Sequence, residues 1–223
     1  MKPVVVKVGS SSLTTETGVD TDFIDRIAGQ VADLRATGRP VVVVSSGAVA
    51  AGMPLLGLTK RPTAEGRLQA VAAVGQPEVY RCWSAALARR GVAAAQVLLA
   101  PNDVVIRRRY LNARATLDAA LAYGAVPVIN ENDTVAVDEL RFGDNDRLAA
   151  IVTAMLDADR LIVLTDTEGL YTADPRRDAS ARLLDVVDRV DAEIEAMAGG
   201  TGSTVGSGGM SSCLLYTSDA ADD

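Results

Sequence analysis

The stretch PVVVKVGSSS, residues 3–12, decides which fold we predict for this chain. Four valines surround a single lysine, Lys7, and Gly9 follows with three serines. A β-branched run without polar alternation is typical of a strand buried on both faces, as in a parallel sheet. Gly9 ends that strand in a turn whose exposed backbone N–H groups can meet an anion. Lys7 has two interpretations here: its ammonium reaches water past the sheet end, or it is directed at a phosphate.

The composition excludes several classes of function. The chain has 223 residues, enough for one large α/β domain or two small ones. A net charge of −7 argues against general binding to nucleic acid or to an anionic membrane. The chain has no histidine, which excludes Ser-His-Asp triads and histidine zinc sites, and we expect no metal site built from protein ligands alone.

Cysteine usage and the N-terminus indicate a compartment. Cys82 and Cys213 fit neither a metal-binding spacing nor a disulfide framework, so we expect the reducing cytoplasm. The N-terminus shows no signal-peptide pattern, and no apolar run approaches the roughly 18–20 residues of a membrane span. We therefore expect a cytoplasmic protein without membrane association.

Strands alternate with helices along the chain. β-branched runs predict further strands at 41–44, 92–99, 125–129 and 160–164. This alternation predicts an α/β fold with a mostly parallel sheet sandwiched by helices, in an α/β/α arrangement. No linker divides the chain into two domains.

The helical segments carry their own predictions. Gly75 and Pro77 interrupt an apolar helical pattern, so two helices are predicted, at 64–74 and 77–90. One long helix is predicted over 104–123. It carries an arginine run that is either a solvated face or an oligomer contact or allosteric feature, consisting of Arg107, Arg108, Arg109 and Arg114.

Polar side chains gather where the predicted strands end. In open α/β sheets, ligands bind beyond the carboxyl ends of the strands. Those ends bring together a cation, small turns, carboxamides and acids, at 7–10, 45–47, 130–133 and 165–166. The familiar phosphate motifs are absent, because there is no Gly-Lys-Ser/Thr loop and the protein-kinase catalytic loop needs a histidine. The convergence predicts one polar ligand site with no standard motif.

Several of these stretches resemble a known family. They are VVVKVGSS at 4–11, VVVVSSGAVAAG at 41–52, LQAVAAVGQ at 68–76, YLNARATL at 110–117, PVINENDTVA at 127–136, FGDNDRLAA at 142–150, LTDTEGLYTADPR at 164–176 and GSGGM at 206–210. In these blocks the chain is similar to the amino acid kinase family, and within it to the bacterial members that act on glutamate. The resemblance covers residues 4–211, and it implies the α/β/α fold of that family.

The resemblance also implies an activity. We expect ATP-dependent phosphorylation of the γ-carboxylate of L-glutamate to L-glutamyl 5-phosphate, the first step of proline biosynthesis. The implied cofactors are ATP and Mg²⁺, with the magnesium bridging phosphates. Feedback inhibition by proline and a homo-oligomeric state are further implications. Acetylglutamate or another small acid remains an alternative substrate for the same fold.

The roles of individual residues follow from the matched motifs. The implied glutamate site consists of Ser46, Gly47, Ala48, Asp133 and Asn145. The implied catalytic residues are Lys7, which contacts the transferring phosphoryl group, and Asp146, which organises the phosphate-facing lysines. The implied ATP site consists of Lys7, Gly9, Ser10, Thr165, Asp166, Ser207, Gly208, Gly209, Met210 and Ser211.

The chemistry of the reaction suits these residue types. Phosphoryl transfer needs positioning and charge neutralisation more than a chemical base. The attacking γ-carboxylate is already ionised at neutral pH, so no histidine is required. A zwitterionic amino acid needs N–H donors for its carboxylate and acids or carboxamides for its ammonium.

The chain departs from the family pattern after Met210. Cys213 stands where the family has a lysine that stabilises the transferred phosphoryl group. We therefore predict an amino acid kinase domain over 1–211, incomplete at its C-terminus, followed by a non-native tail over 212–223. The parent gene would encode the active kinase, and this chain would be impaired. The alternative is a non-catalytic fragment that binds its ligand without turnover.

Overall fold

The computed structural model describes residues 1–15, 17–136 and 145–198. The strands are β1 Val4–Val8, β2 Thr14–Thr15, β3 Gly18–Val19, β4 Val41–Ser45, β5 Ala94–Leu99, β6 Val126–Glu131 and β7 Arg160–Leu164. The helices are α1 Ser10–Leu13, α2 Thr21–Ala36, α3 Ala48–Leu55, α4 Glu65–Ala88, α5 Pro101–Val105, α6 Arg107–Ala122, α7 Asn145–Met155 and α8 Ala192–Ala198.

Five of the described strands form one parallel sheet, in the order β5-β6-β4-β1-β7. Strand β1 lies between β4 and β7, so that Lys7 is level with Val44 on one side and Val163 on the other. The short strands β2 and β3 pair antiparallel outside this sheet. The prediction of a mostly parallel sheet flanked by helices is confirmed.

Consecutive valines of β1 and β4 pack into two separate cores, one on each face of the sheet. Val4, Val6 and Val8 point to the face covered by α2 and α4. Val5 points to the opposite face, where α6 and α7 cover the sheet. Because successive side chains of a strand alternate between faces, an unbroken valine run is what a strand buried on both faces requires.

Residues at the N-termini of α2 and α3 favour the start of these helices. Asp20 caps α2, since its carboxylate accepts a hydrogen bond from the Phe23 backbone N–H at 2.8 Å. Gly47 precedes α3 with φ at +102°, a conformation that a side chain disfavours. The chain can therefore leave β4 and enter α3 within two residues.

The prediction of two helices around Gly75 and Pro77 is wrong, because residues 65–88 form the single helix α4. Gly75 is there for packing: a Cβ at this position would lie 1.9 Å from the Ala48 carbonyl oxygen of α3. Likewise, a Cβ on Gly52 of α3 would lie 2.0 Å from the Val71 carbonyl oxygen. Pro77 lacks the N–H of a regular helix, a loss of about 3 kcal/mol in an isolated helix. Burial of the same face on both sides of Pro77 keeps the helix continuous.

The single long helix predicted over 104–123 is also wrong, because Ile106 has extended dihedral angles and separates α5 from α6. The arginine run lies exposed on α6, and Arg109 pairs with Asp103 of α5 at 3.1 Å. No helix of the described residues is long and apolar enough to cross a membrane. The predicted tail, 212–223, lies outside the described residues.

Candidate functional site

Lys7 forms a buried ion pair at the carboxyl end of β1. The alternation of the strand puts Lys7 on the same face as Val5, and this is the face that α7 covers. Asp146 occupies the first turn of α7, and its Oδ1 lies 2.7 Å from the Lys7 Nζ. The two side chains are only 11% and 8% exposed. The interpretation of Lys7 as an ammonium reaching bulk water is therefore wrong.

The surroundings of Lys7 leave it able to contact an anion. An ammonium carries three N–H donors, so the contact with one carboxylate oxygen leaves donors for another acceptor. Gly9 lies beside the ammonium, and a Cβ built on it would be 3.7 Å from Nζ. The carboxylate compensates the buried charge, while the missing side chain of Gly9 keeps space beside it.

A chain of carboxamides lies next to this ion pair. The Asn145 Nδ2 donates to the Ser46 Oγ at 2.6 Å and to the Asn130 Oδ1 at 2.9 Å. The Asn130 Nδ2 in turn donates to the Gln76 Oε1 at 2.7 Å. Since Asn145 precedes Asp146 in the first turn of α7, this network and the ion pair are adjacent. They form one polar site at the carboxyl edge of the sheet.

The turn after β4 supplies further donors. The Ser46 N–H donates to the Val8 carbonyl at 3.1 Å, which ties the ends of β1 and β4 together. Gly47 and Ala48 are buried at the start of α3, where the first N–H groups of the helix have no partner within the helix. The positive end of the helix dipole favours an anion at this point.

Of the residues predicted to hold the nucleotide, Gly9, Ser10, Thr165 and Asp166 follow the carboxyl ends of β1 and β7. The Gly9 N–H donates to the Leu164 carbonyl at 3.4 Å, so the turn after β1 lies beside the end of β7. Thr165 and Asp166 follow β7 directly and are exposed, with the threonine hydroxyl donating to the carboxylate at 3.2 Å. Ser10 is the first residue of α1. These positions lie after the ends of the paired strands β1 and β7.

Two groups of predicted residues need separate mention. Asp133 is half-buried in the turn after β6, three positions along from Asn130. The segment that contains it is held at both ends, by the Asn132 N–H to the Leu99 carbonyl at 2.8 Å and by the Gln69 Nε2 to the Ala136 carbonyl at 2.9 Å. The predicted glycine loop, Ser207 to Ser211, lies outside the described residues.

Sequence reasoning did not assign Gln76 or Asn130 to the site. Asn130 belongs to the strand end at 130–133, so the strand pattern points towards it without giving it a partner. The predicted helix break placed Gln76 in a connection between Gly75 and Pro77, so its position on a helix facing the strand ends was not predicted. The only signal available was its position inside the stretch LQAVAAVGQ.

The buried thiol of helix α4 is not a candidate nucleophile. Cys82 is 5% exposed on α4. Burial raises the pKa of the Cys82 thiol, and the neighbouring Glu78 carboxylate adds to the shift. The thiol is therefore protonated at neutral pH and packs as a small apolar group.

A parallel α/β sheet with a buried cation and a polar pocket at its carboxyl edge defines a ligand-binding protein of the open-sheet class. The family model described as "Amino acid kinase family" matches residues 2–223. The chain belongs to the amino acid kinase family. The chain is similar in structure to the solved aspartate kinase from Synechocystis. The TM-score is 0.56 at 20% sequence identity, and the match covers 82% of this chain and 31% of that one. At that identity the likeness shows the fold alone.

The curated relatives are closer in sequence. The chain is 53% identical over 215 residues to a protein named Glutamate 5-kinase from Geobacter sp. (strain M21), covering 96% of this chain and 58% of the relative. It is 53% identical over 219 residues to the protein of the same name from Bordetella pertussis, covering 98% of this chain and 58% of the relative. The protein of that name from Pelobacter propionicus is 50% identical over 222 residues, and the match covers 99% of this chain and 60% of the relative. The chain thus spans about three fifths of the length of these relatives.

Proposed function

We propose that this chain carries the glutamate- and ATP-binding core of a glutamate 5-kinase. The reaction transfers the γ-phosphoryl group of ATP to the γ-carboxylate of L-glutamate, giving L-glutamyl 5-phosphate and ADP, as the first step of proline biosynthesis. The observation that carries the proposal is the contact between Lys7 and Asp146 directly beside the hydrogen bond between Asn145 and Ser46. A cation for the phosphoryl group and a polar pocket for an amino acid are thereby adjacent. Identities of 50–53% to proteins named Glutamate 5-kinase support the choice of substrate.

The pocket has the donors and acceptors that a zwitterionic amino acid needs. The Ser46 hydroxyl and the first N–H groups of α3, at Gly47 and Ala48, are suited to a carboxylate. The Asn145 carbonyl oxygen and the Asp133 carboxylate are suited to an ammonium. In this arrangement the glutamate side chain extends from Asn145 towards its sequence neighbour Asp146 and the ion pair.

Lys7 neutralises charge on the transferring phosphoryl group. The γ-carboxylate oxygen of glutamate forms a bond to the γ-phosphorus while the bond from that phosphorus to the β,γ-bridging oxygen breaks, and ADP leaves with the electron pair. Asp146 holds the Lys7 ammonium in place, so no reorganisation of the cation is needed during the step. No proton has to move, because the attacking carboxylate is already ionised.

The nucleotide occupies the side of the site next to β7. The turn at Gly9 and Ser10 lies beside the phosphates, and Thr165 and Asp166 hold the nucleotide together with the glycine loop, Ser207 to Ser211. Mg²⁺ binds to the ATP phosphates and adds positive charge there. Within the described residues, no cluster of three or more Cys, Asp or Glu side chains is placed to hold a metal ion.

The proposal is tested by measuring ADP formation from Mg-ATP with L-glutamate, N-acetylglutamate or L-aspartate as acceptor. The assay compares this chain with a version in which the segment from residue 199 onward is replaced by the corresponding segment of the Geobacter relative. We expect turnover with glutamate in the replaced version, and weaker turnover in this chain because Cys213 stands where the family has lysine. Turnover with acetylglutamate but not glutamate overturns the substrate assignment, and glutamate binding without turnover in either version supports a binding fragment.

Regulation, assembly and compartment belong to the same proposal. Proline is also a zwitterionic α-amino acid, so it competes for the Ser46 and Asn145 pair as a feedback inhibitor. The chain forms a homo-oligomer, which fits exposed apolar side chains at one edge of the sheet, including Leu98 on β5 and Leu111 on α6. The reducing cytoplasm suits the free thiol of Cys82.

A further inference from the structure

One face of helix α4 carries three polar side chains seven residues apart, Gln69, Gln76 and Trp83. Each of them makes a hydrogen bond at or beyond the carboxyl end of β4 or β6. Gln69 donates to the Ala136 carbonyl at 2.9 Å, Gln76 accepts from the Asn130 Nδ2 at 2.7 Å, and the Trp83 Nε1 donates to the Ser45 Oγ at 2.9 Å. Because positions seven apart lie on the same side of a helix, α4 contacts the back of the ligand site along its length.

The hydrogen bonds that start at Gln76 have a definite direction. The Gln76 Oε1 accepts a hydrogen bond from the Asn130 Nδ2. The Asn130 Oδ1 then faces Asn145 and accepts a hydrogen bond from its Nδ2. The same Nδ2 donates its second hydrogen to the Ser46 Oγ. Asn145 thus donates in both directions, to Ser46 and to Asn130, and Asn130 donates to Gln76.

This direction decides what the two outer groups offer to a ligand. The Asn145 amide nitrogen has two hydrogens, and both are used, so its carbonyl oxygen is left as an acceptor. The Ser46 oxygen accepts from Asn145, so its own hydrogen is left for donation. An acceptor beside a donor matches the ammonium and the carboxylate of an α-amino acid. In the reversed direction Ser46 would donate its hydrogen to Asn145, so the donor and the acceptor would exchange places. The remaining donor would then be the Asn145 amide and would no longer lie next to the first N–H groups of α3.

The polypeptide holds Gln76 rigidly enough for this role. The preceding residue, Gly75, is in backbone contact with α3, since a Cβ on it would lie 2.4 Å from the Gly52 nitrogen. The partner Asn130 is 4% exposed, so an unsatisfied amide there would be costly. Gln76 is the last acceptor of the series, and it comes from a helix whose side chains lie behind the residues proposed to contact glutamate.

We propose that Gln76 is a positioning residue for the amino acid substrate: as the terminal acceptor of the Gln76–Asn130–Asn145–Ser46 series, it sets the direction of the donors in the pocket. The inference rests on the proposed function for the identity of the ligand. It assigns to α4 a part in substrate specificity that lies behind the residues in contact with the ligand.

The first test is glutamate and Mg-ATP binding to the 223-residue chain by isothermal titration calorimetry, with Gln76→Met and Gln76→Glu. Methionine cannot accept the Asn130 hydrogen bond, and the loss of one such bond corresponds to a roughly fivefold to tenfold rise in the Kd for glutamate. ATP affinity should stay within about twofold, because the nucleotide does not contact this series. Glutamate at position 76 is also an acceptor, so Gln76→Glu should restore most of the affinity. A matched control is Gln30→Met, on the exposed face of α2.

The second test uses a pair of substitutions that distinguishes direction from mere packing. In Asn130→Asp the new carboxylate accepts from Asn145 as before, and Gln76 satisfies it by turning its amide to donate. Each of Asn130→Asp and Gln76→Glu should therefore keep glutamate affinity within about threefold. The double variant places two acceptors against each other and should lose at least about tenfold more than the singles predict together. Additive losses overturn the proposal, as does an equal loss of ATP and glutamate affinity in Gln76→Met.

A readout without ligand separates this inference from the proposed function. In ¹⁵N-labelled protein, Gln76→Met should shift the side-chain amide resonances of both Asn130 and Asn145, while Gln30→Met should leave them unchanged. If these resonances move but the wild-type chain binds no glutamate, the series stands and the proposed substrate is wrong. If they do not move, the series is wrong whatever the chain binds.

Discussion

Lys7 and Asp146 show how burial changes the meaning of an ion pair. The Lys7 Nζ lies 2.7 Å from the Asp146 Oδ1, and both side chains are about one tenth exposed. The Lys2 Nζ lies 2.8 Å from the Asp157 Oδ1, but these side chains are 58% and 71% exposed. An exposed pair contributes little because water and salt screen it. A buried pair that loses one partner leaves an uncompensated charge in the protein interior. The two pairs have nearly the same length, so they isolate the effect of burial.

We predict that Lys7→Met destabilises the chain by about 3–5 kcal/mol, because it leaves the Asp146 carboxylate buried without its cation. Lys2→Met, the matched control, should cost no more than about 1 kcal/mol. Urea unfolding followed by circular dichroism measures both. Equal effects of the two substitutions would contradict the structural account of the buried pair.

The double variant Lys7→Met with Asp146→Asn should recover much of the lost stability, since no buried charge is then unpaired. Turnover in the version with the Geobacter segment should nevertheless fall by roughly a hundredfold or more, because the cation proposed to neutralise the phosphoryl group is gone. Stability and activity are thereby separated at one site. Recovery of activity along with stability would show that Lys7 has only a structural role.

At the scale of elements, α3 and α4 pack through their backbones. Gly52 and Gly75 allow this contact, with room for no further atom at either position. Since α3 begins two residues after Ser46 and Gly75 precedes Gln76, the packing of the two helices also sets the spacing of the site. The glycine that resembles a helix break in the sequence is a packing residue in the structure.

We predict that Gly75→Ala destabilises the chain by at least about 1–3 kcal/mol, because the added methyl group overlaps the Ala48 carbonyl. Gly66→Ala is a matched control in the same helix, where a Cβ meets nothing within 4 Å. It should be neutral or stabilising by up to about 1 kcal/mol, since alanine favours the helix. Thermal unfolding compares the two, and similar losses from both would contradict the close contact of α3 and α4.

The connection between α2 and α4 should depend on pH. Arg90 donates to both oxygens of Asp25 at 2.8 Å, and Arg89 donates at 2.6 Å. These hydrogen bonds, Arg90 first, hold the pKa of Asp25 well below its usual range. A lowered pKa in the folded state contributes stability above the pKa of the unfolded chain, about 3.9, and this contribution falls as the pH falls below it.

We therefore predict that Asp25→Asn is less stable than the wild-type chain at pH 7, and that the difference shrinks below about pH 4. Because the carboxylate lies at the surface, the difference should also diminish in high salt. Urea unfolding between pH 3 and pH 7 measures the trend. A difference that is constant over this range would show that the charge of Asp25 is not the cause.

At the scale of the whole molecule, one edge of the sheet combines charge with exposed apolar surface. Strand β5 is the outer strand there, and a groove of about 570 Å³ lies between it and α6. Large apolar side chains are exposed around this edge, at Leu98, Val105, Ile106 and Leu111. The exposed arginines of α6 belong to the same region, so the interpretation of the arginine run as an oligomer contact can be tested at this edge.

We predict that Leu111→Lys weakens self-association, because it adds a charge to this apolar surface beside the arginines of α6. Val186→Lys, at another exposed apolar position, should leave association unchanged. Sedimentation velocity over a range of protein concentrations measures the effect. Unchanged association in Leu111→Lys would place the oligomer contact elsewhere on the molecule.

Much of the fold follows from the sequence alone. The valines of β1 and β4 predict a parallel sheet because an unbroken β-branched run suits only a strand with two buried faces. The topology of such a sheet then places the strand ends together, which is why a candidate site can be predicted there without a recognisable phosphate motif. These inferences succeed because each depends on a short stretch of neighbouring residues.

The tertiary structure decided what depends on residues distant in the chain. The continuity of α4 through Gly75 and Pro77 comes from packing on α3 and the sheet, which outweighs local helix propensity. The contact of Gln76 with Asn130 spans 54 positions, and that of Asn145 with Ser46 spans 99. A single sequence carries no local signal for such pairs. The sequence therefore predicts where the candidate site lies, whereas the pairing of Gln76 with Asn130 and of Asn145 with Ser46 is seen only in the folded arrangement.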